Sequence, residues 1–588
     1  MHRVSRRLFQ GDGVIELLEE LHEQDLIADI DWHFARLIAR FDGHERPEVA
    51  LAAALASVQT RRGHVCLDLE ACAGGPLAAL LEDPLVDRPI SPFTLPDLDS
   101  WRNSLLASPV VAGPGCEADA PLVLDDAGRL YLSRYRDAET RVATRLAQMA
   151  QARDTTPVVD DTLDRLFDAK DVDQRRAVEA VLHRRLCVIT GGPGTGKTFV
   201  AARTIALLLD TGLAKPDRIA LAAPTGKAAQ RLQASVSAQT EGLAKTIPAL
   251  RDYRADASTV HRLLFRARNG SLPVDAVILD EASMVDLPLM SRLVGMLPDD
   301  ARLVVLGDAN QLASVQPGAV LGDLCAAAAT PGSPLGGCVQ ALTMSRRFDR
   351  ESGIGRLADA IIGGDGTRAL AALADERDAQ TELLPLADAR AFERLATRHA
   401  VESWAPGIRD PRESPFPNCR ILCAHRHGPF GTHRFNRLVE NELRQRGVVG
   451  REEFYPGRPI IVTRNDPATR LSNGDTGVVV NEGGAGRRVW FPELDASDGE
   501  RFEVSPSRLP EHDSFFALTV HRAQGSEYEE VAFIPGPTDS RVVTRELFYT
   551  AVTRARAKVV VYGGEDDVTG AVARSTERVG GLTSRLAP

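Results

Sequence analysis

The chain has 588 residues, 44% of them hydrophobic and 26% charged, a mixture typical of a globular protein with several domains. Its 70 Lys and Arg against 81 Asp and Glu give a net charge of −11, which on its own argues against a surface coated in basic side chains for nucleic acid or anionic membranes. No apolar run approaches the roughly 20 residues of a membrane span, and no apolar segment follows the N-terminal arginines. With eight scattered cysteines, these features predict a cytoplasmic protein without a membrane partner.

The first 150 residues are more acidic than the rest of the chain. They contain 15 Lys and Arg and 24 Asp and Glu, a net charge of −9, so the remaining residues carry only −2. Apolar positions at helical spacing predict helices over residues 14–27 and 31–41. We expect residues 1–150 to form a helical acidic domain that docks on protein, followed by a polar linker.

Short, continuous apolar runs, each followed by a helical pattern, begin after this linker. Continuous runs indicate strands that are buried on both faces, and hence parallel sheets in an α/β fold. The runs occupy residues 186–189, 219–223, 276–279, 303–306, 421–424, 531–534 and 559–562. We predict one sheet domain over residues 159–340 and a second over residues 341–588. The turn-rich stretch at about 455–510, with Asn473-Gly474, predicts a small β domain inserted in the second.

A phosphate-binding loop follows the first of these strands. Residues 191–198 fit the P-loop pattern G-x-x-x-x-G-K-[ST] between an apolar strand and a helical run. The backbone N–H groups of such a loop surround phosphate oxygens at the positive end of the helix. Lys197 supplies a point charge to the outer phosphates, and Thr198 offers a hydroxyl to Mg²⁺. The nucleotide-binding residues predicted here are Gly191, Gly192, Pro193, Gly194, Thr195, Gly196, Lys197 and Thr198.

Polar side chains follow two further strands. Asp280 and Glu281 come directly after the run 276–279, at the carboxyl end of a parallel strand, where ligands bind in such sheets. Asp280 is predicted to bind Mg²⁺, and Glu281 to orient or deprotonate the attacking water. Gln311 follows the run 303–306 and can hydrogen-bond the γ-phosphate and the water. Together these residues predict hydrolysis of ATP with Mg²⁺ as the metal cofactor.

These segments belong to a larger ordered set that resembles the motifs of superfamily 1 DNA helicases. The resemblance is specifically to the RecD family, the alpha subunits of exodeoxyribonuclease V, and it covers nearly the whole chain. The matching segments are residues 173–174, 191–198, 223–229, 259–264, 280–284, 307–312, 345–348, 520–527 and 549–556, and residues 31–35 and 63–69 resemble the N-terminal domain of the family. Any one segment is a weak signal, but their order and spacing together are specific.

The resemblance implies a fold and further nucleotide-binding residues. The fold would contain two RecA-like parallel-sheet motor domains, a helical N-terminal domain and a small SH3-like β insertion. Gln174 would bind the adenine base, and Glu527 would lie near the nucleotide or the DNA strand. Arg347 and Arg554 would reach the γ-phosphate from the second motor domain when the cleft between the domains closes. Arg346 stays open as an alternative to Arg347.

Five residues are candidates for contact with single-stranded DNA. Hydroxyl and imidazole donors bind phosphates, and a proline can pack against a base or sugar. The candidates, which depend mainly on the motif matches, are Pro224, Thr225, His261, Thr519 and His521. Bases usually stack on aromatic side chains in single-strand channels. Aromatic residues make up only 5% of the chain, and Phe430 is as compatible with core packing as with stacking.

The resemblance implies an ATP-dependent DNA translocase and helicase of 5′→3′ polarity. It also implies a heterotrimer with RecB-like and RecC-like subunits, which processes duplex DNA ends for recombinational repair and takes single-stranded DNA as its track. The chain has no convincing carboxylate–lysine nuclease signature, so nuclease activity is expected only through a partner subunit. Two alternatives stay open: a stand-alone helicase of the same superfamily and a non-motor ATP-binding regulatory subunit.

Overall fold

The structure, a computed structural model, describes residues 13–81, 92–116, 119–152, 160–343, 351–375, 377–386, 388–482, 486–495, 500–536 and 540–587. The α-helices in these ranges are α1 (Gly13–Glu23), α2 (Asp29–Phe41), α3 (Pro47–Arg61), α4 (Leu69–Cys72), α5 (Ala78–Leu81), α6 (Leu98–Leu106), α7 (Ser133–Gln151), α8 (Asp160–Leu166), α9 (Val172–His183), α10 (Lys197–Asp210), α11 (Gly226–Leu243), α12 (Val260–Leu264), α13 (Leu287–Met296), α14 (Val320–Ala329), α15 (Gly353–Ile362), α16 (Gly366–Leu373), α17 (Ala389–His399), α18 (Ala405–Arg409), α19 (Thr432–Gln445), α20 (Arg545–Val552), α21 (Glu565–Ala573) and α22 (Leu582–Arg585).

The strands in the same ranges form four sheets. They are β1 (Cys66–Asp68), β2 (Val111–Ala112), β3 (Leu122–Leu124), β4 (Arg129–Leu132), β5 (Leu186–Gly191), β6 (Ile219–Ala223), β7 (Ala257–Thr259), β8 (Ala276–Leu279), β9 (Arg302–Gly307), β10 (Val339–Leu342), β11 (Thr381–Leu384), β12 (Cys419–Cys423), β13 (Pro459–Val462), β14 (Thr476–Asn481), β15 (Arg487–Trp490), β16 (Glu503–Val504), β17 (His512–Ser514), β18 (Ala517–Thr519), β19 (Tyr528–Ile534) and β20 (Ala555–Tyr562).

The N-terminal region combines helices with a small sheet. Helix α3 is enclosed from Val49 to Thr60, as expected of a helix that has no polar face. Helices α1 and α2 pack against it, and so does the four-stranded sheet of order β1-β4-β3-β2. Asp31 on α2 is fully buried and accepts hydrogen bonds from Ser57 at 2.6 Å and from Arg61 at 2.9 Å. Arg61 thereby supplies the opposite charge that a buried carboxylate requires.

A six-stranded parallel sheet of order β10-β5-β9-β8-β6-β7 follows. Alternate residues of β9 enter two different cores: Leu303 and Val305 pack with α7, α13 and α14, whereas Val304 and Leu306 pack with α9, α10 and α11. The strand is therefore apolar at nearly every position because helices cover both faces of the sheet. The order places the carboxyl ends of β5, β9 and β8 side by side, which is the arrangement that brings the predicted ATP residues together.

The second parallel sheet has the order β11-β20-β19-β12-β18. Between β12 and β18 the chain forms a separate antiparallel sheet of order β16-β15-β14-β13-β17, with its own core around Ile460, Val489 and Phe491. This small β unit lies over residues 459–514 and is called the β insertion below. It is joined to the second parallel sheet at the edge strand β18.

The end of the chain returns to the first half of the molecule. Residues 574–587, called the C-terminal strap below, leave α21 and run along both the N-terminal region and the first parallel sheet. Val65 donates its N–H to the Val579 carbonyl at 2.7 Å, and Leu582 and Leu586 are buried in the core beneath that sheet. The strap therefore connects the second sheet to two regions that precede it in sequence.

The predicted fold class is confirmed: the chain is a mixed α/β protein with parallel sheets and a helical N-terminal region, and all seven apolar runs fall on strands. The N-terminal region also contains a sheet that the sequence did not predict, because strands of two to four residues are too short to show a periodic pattern. The first predicted helix ends at Glu23. The domain boundaries and the SH3-like character of the β insertion stay predictions.

Among the described residues, no helix is long and apolar enough to cross a bilayer.

Candidate nucleotide and DNA site

The loop between β5 and α10 has the backbone conformation of a phosphate cradle. Gly194 and Gly196 have φ values of 79° and 93°, in the left-handed region that favours glycine. The Thr195 hydroxyl donates to the Gly192 carbonyl at 2.9 Å and fixes the loop from within. Helix α10 begins at Lys197, so the unpaired N–H groups of its first turn lie next to the loop. This arrangement suits an anion such as a nucleotide phosphate.

Lys197 and Gln174 both hydrogen-bond the backbone of this loop. The Lys197 ammonium donates to the carbonyl oxygens of Gly191 and Gly192, at 2.7 Å and 3.1 Å. Gln174 on α9 is buried, and its amide donates to the Thr195 carbonyl at 3.1 Å. Gln174 therefore holds the backbone of the loop in place through this hydrogen bond. Its contact with adenine stays a prediction.

Asp280 and Glu281 lie at the carboxyl end of β8. Burial raises the pKa of Asp280 to about 6, and the neighbouring Glu281 adds to this effect, whereas Lys197 opposes it. Glu281 has a φ of 50°, a costly conformation for a residue with a side chain, and its N–H donates to Asp280 Oδ1 at 2.9 Å. The carboxylate of Asp280 and the hydroxyl of Thr198 are oxygen ligands of the kind that Mg²⁺ binds together with substrate phosphates. The residues present therefore fit a magnesium ion.

Gln311 lies beyond the carboxyl end of β9, between the P-loop strand and the strand that carries Asp280. Its amide donates to Asp308 Oδ2 at 2.9 Å, and both side chains are buried. Asp308 was not assigned a role from the sequence, although it lies in one of the matching segments. In the structure it is the group that orients the Gln311 side chain.

The second parallel sheet supplies the other wall of the cleft. Arg554 is buried, and its guanidinium donates to the Thr550 carbonyl at 3.1 Å and to the Ser526 carbonyl at 3.3 Å. Glu527 forms ion pairs with Arg231 on α11 and with Arg556, the latter at 3.1 Å. Arg231 was not predicted, because nothing in the pattern of α11 distinguishes it before the two halves are brought together.

One cleft of about 300 Å³ brings most of the predicted ATP residues together. The interpretation of Arg347, or of Arg346, as an arginine finger lies outside the described residues. The predicted residues that line the cleft are Pro193, Gly194, Gly196, Lys197, Thr198, Asp280, Glu281, Gln311, Glu527 and Arg554. Their positions at the carboxyl ends of β5, β8 and β9, opposite an arginine from the other sheet, suit phosphoryl transfer.

Three of the DNA candidates lie at the carboxyl ends of β6 and β7, the edge pair of the first parallel sheet. Ala223 and Thr259 are paired across these strands, so Pro224, Thr225 and His261 follow at the same edge. The Thr225 hydroxyl accepts the Ala228 N–H at 3.2 Å and caps α11, while His261 is exposed. The structure thus brings these residues to one edge but gives Thr225 a local capping role as well.

The other two DNA candidates occupy different surroundings. Thr519 ends β18 and lines a groove with Arg426, His433 and Arg522. His521 is largely buried, and its pKa is lowered by burial and by the charge of Arg578 in the C-terminal strap. The candidate stacking residue, Phe430, packs against the core and meets Phe392 edge-to-face at 5.6 Å between ring centroids. Core packing is therefore the role that the structure gives to Phe430.

Three known families match parts of this chain. Residues 23–131 match the N-terminal domain of RecBCD enzyme subunit RecD, residues 174–317 match an AAA domain, and residues 514–562 match a UvrD-like helicase C-terminal domain. RecBCD enzyme subunit RecD of Mycolicibacterium smegmatis is 38% identical over 98% of this chain and 100% of its own length. The Haemophilus influenzae protein of the same name is 29% identical over 97% of this chain and 99% of its own.

A relative of another description and one solved structure are also similar. The ATP-dependent RecD2 DNA helicase of Deinococcus radiodurans is 30% identical over 78% of this chain, which covers 59% of that protein. The crystal structure of Pif1 helicase from Candida albicans superposes with a TM-score of 0.36 at 14% identity, over 68% of this chain and 96% of that one.

Proposed function

The chain belongs to the RecD family of ATP-dependent DNA helicase subunits, and we propose that it is the 5′→3′ motor of a RecBCD-type complex that acts at duplex DNA ends. The cleft between the two parallel sheets carries this proposal. Its first wall presents the P-loop, Asp280, Glu281 and Gln311, and its second wall presents Arg554. A site that is complete only when both walls approach couples ATP hydrolysis to a movement of the two domains.

The charged and polar residues at the phosphate end of the cleft have distinct roles in hydrolysis. Lys197 exchanges its carbonyl partners for the outer phosphates, because charged oxygens are stronger acceptors. Thr198 and Asp280 would bind Mg²⁺, which neutralises charge on the β- and γ-phosphates when present. Glu281 orients or deprotonates the attacking water, and Gln311 hydrogen-bonds that water and the γ-phosphate. Arg554 stabilises the charge that spreads over the transferred phosphoryl group, with Arg347 proposed as a second arginine.

Opening and closing of the cleft would move a single strand along the outer edges of the two sheets. Pro224, Thr225 and His261 would contact it from the first sheet, and Thr519 and His521 from the second. Each domain would hold the strand more tightly in one state of the cleft than in the other. Closing of the cleft then moves the strand in one direction. The 5′→3′ direction of this movement rests on the family.

Assembly with RecB-like and RecC-like subunits is the form of the protein that we propose. This chain covers 99% to 100% of two relatives named as RecBCD subunits, against 59% of the RecD2 helicase. The acidic first 150 residues, with a net charge of −9, suit docking on protein better than an additional grip on DNA. Nuclease activity would then come from a partner subunit.

The test is to purify the chain from native lysate and to assay strand displacement with and without the proteins that accompany it. We expect two larger subunits to co-purify, single-stranded DNA to stimulate ATP turnover, and duplexes with a 5′ tail to be unwound by this motor when the motor of the RecB-like partner is inactivated. A fully active lone chain would instead identify a stand-alone helicase. ATP turnover that does not respond to DNA would support the non-motor regulatory subunit.

A further inference from the structure

Side chains of the second parallel-sheet domain contact the segment Asp308–Leu312 of the first parallel-sheet domain. The Tyr549 hydroxyl donates to Asp308 Oδ2 at 3.1 Å, and the Leu312 N–H donates to the Thr550 hydroxyl at 3.0 Å. The Gln524 amide donates to the Leu312 carbonyl at 3.3 Å. These three hydrogen bonds cross the cleft and end on the short segment that carries Gln311.

Asp308 depends on such donors because it is buried. The residue is 1% exposed, and its carboxylate accepts hydrogen bonds from the Asn310 N–H at 3.0 Å, the Gln311 amide at 2.9 Å and the Tyr549 hydroxyl. A buried carboxylate that loses a donor bears an unsatisfied lone pair, which costs more than an ordinary exposed hydrogen bond contributes. The tyrosine hydroxyl therefore influences where the carboxylate lies, and through it where the Gln311 amide lies.

Tyr549 also contacts the P-loop. A Cβ atom built on Gly192 would lie 3.0 Å from the Tyr549 hydroxyl, so the tyrosine packs against the backbone of the residue whose carbonyl accepts from Lys197. The residue is carried by α20 of the second domain, in the same segment as Arg554. Arg554 lies two residues beyond the end of α20 at Val552, so one short segment of the second domain brings Tyr549 to the P-loop and Arg554 to the cleft.

We propose that Tyr549 is a positioning residue for ATP hydrolysis. From the second domain its hydroxyl fixes Asp308, and Asp308 in turn fixes the Gln311 amide in the orientation that serves the γ-phosphate and the attacking water. Separation of the domains breaks the Tyr549–Asp308 bond, so Asp308 loses the donor that fixes it and holds the Gln311 amide less firmly. The water is then fully aligned only while Arg554 is also in the cleft. This inference rests on the proposed function and adds to it a trans-domain link that prevents hydrolysis in the open state.

Tyr549→Phe tests the link in the assembled complex with the motor of the RecB-like partner inactivated, because it removes the hydroxyl and keeps the buried ring. We expect kcat of the DNA-stimulated ATPase to fall about tenfold while KM for ATP changes less than about twofold, since the hydroxyl acts on the water-aligning glutamine rather than on nucleotide affinity. Tyr562→Phe is the matched control: its hydroxyl accepts from Arg398 at 2.8 Å within the second domain, and kcat should not change. An unchanged kcat in Tyr549→Phe, or an effect on KM alone, would overturn the proposal.

A double-mutant cycle with Asp308→Asn separates this route from an independent role. If Tyr549 acts through Asp308, adding Tyr549→Phe to Asp308→Asn costs much less than it costs the wild-type protein. If the two losses multiply in full, Tyr549 acts by another route and the proposal is wrong. Should Tyr549→Phe assemble poorly, Asp308→Asn alone carries the test, and an unchanged kcat in that variant also overturns the proposal. A wild-type complex without DNA-stimulated turnover would count against the proposed function instead.

Discussion

Lys197 and Arg554 both donate hydrogen bonds to backbone carbonyl groups, at 2.7–3.1 Å for the ammonium and 3.1–3.3 Å for the guanidinium. Carbonyl oxygens are neutral acceptors, and a phosphate oxygen forms a stronger, charge-assisted bond with either group. The two cations are therefore oriented before the nucleotide arrives and keep the capacity to exchange partners. We therefore expect the cleft to favour a triphosphate over a neutral ligand.

Lys197→Gln should abolish this exchange without harming the fold. The amide supplies no charge to the phosphates, so we expect ATP turnover by this motor to fall by about 100-fold or more. Steady-state ATPase with saturating single-stranded DNA, in a complex whose RecB-like motor is inactivated, measures the loss, and co-purification of the partner subunits and the melting temperature serve as controls. Loss of assembly in this variant would show that Lys197 is a structural residue.

At the scale of elements, the C-terminal strap includes one ion pair with a buried carboxylate. Glu139 on α7 is fully buried and accepts hydrogen bonds from Arg585 Nε and from the Gly581 N–H, both at 2.7 Å. Arg585→Ala leaves this carboxylate buried without its charge partner, and we expect a loss of about 3 kcal/mol in the free energy of unfolding. Urea unfolding measures the change.

Arg377→Ala is the control for that loss. Arg377 also pairs with a carboxylate, Asp375, but its side chain is 91% exposed, and exposed pairs contribute about 0–1 kcal/mol. Similar small losses in the two variants would show that the strap adds little to the stability of the molecule.

His64 makes the attachment of the strap sensitive to acid. Burial, followed by the charges of Arg578 and Arg62, lowers the pKa of His64 to about 4, and its Nδ1 accepts the Val579 N–H at 3.1 Å. The unfolded chain binds the proton near pH 6.5, so stability is full above that pH and falls as the pH drops toward 4.

Unfolding midpoints in urea between pH 7.5 and 5 measure this dependence. His64→Asn retains an acceptor but does not titrate, so we expect its midpoint to fall less steeply with pH than that of the wild-type protein. Identical slopes in the two proteins would contradict the assignment to His64.

The sequence predicts elements that depend on neighbouring residues, and it misses contacts between residues that are far apart in the chain. The seven apolar runs and the P-loop can be predicted because each strand or turn is specified by consecutive residues. The strap is not visible, because Glu139 and Arg585 are far apart in the chain and only the folded molecule brings them together. Tyr549 lies within a matching segment, yet its contact with Asp308 depends on how the two sheets meet. Arg347 lies outside the described residues and stays a prediction.

At the scale of the whole molecule, the charge is divided unevenly along the chain. The first 150 residues carry −9 of the net −11, and the remainder is nearly neutral. A nearly neutral motor is compatible with a DNA track of hydroxyl groups, backbone and a few cations, in which each cation would matter to the affinity. We propose Lys227 as such a cation: it follows the DNA candidates Pro224 and Thr225, and it forms an ion pair of 2.9 Å with Glu493 of the β insertion.

Glu493→Gln should release Lys227 to the DNA. The pair is partly exposed and contributes little to stability, but in the bound state a phosphate must compete with Glu493 for the ammonium. Freeing one cation should tighten the affinity for single-stranded DNA at low salt and steepen the slope of log Kd against log salt by about 0.7. Fluorescence anisotropy of the complex on duplex ends with a 5′ tail measures both quantities.

Glu482→Gln is the control. It removes an equal charge from the same β insertion, where Glu482 pairs with Arg412 at 3.5 Å, and it should leave the slope unchanged. Equal slopes in all three proteins would mean that Lys227 does not contact the strand.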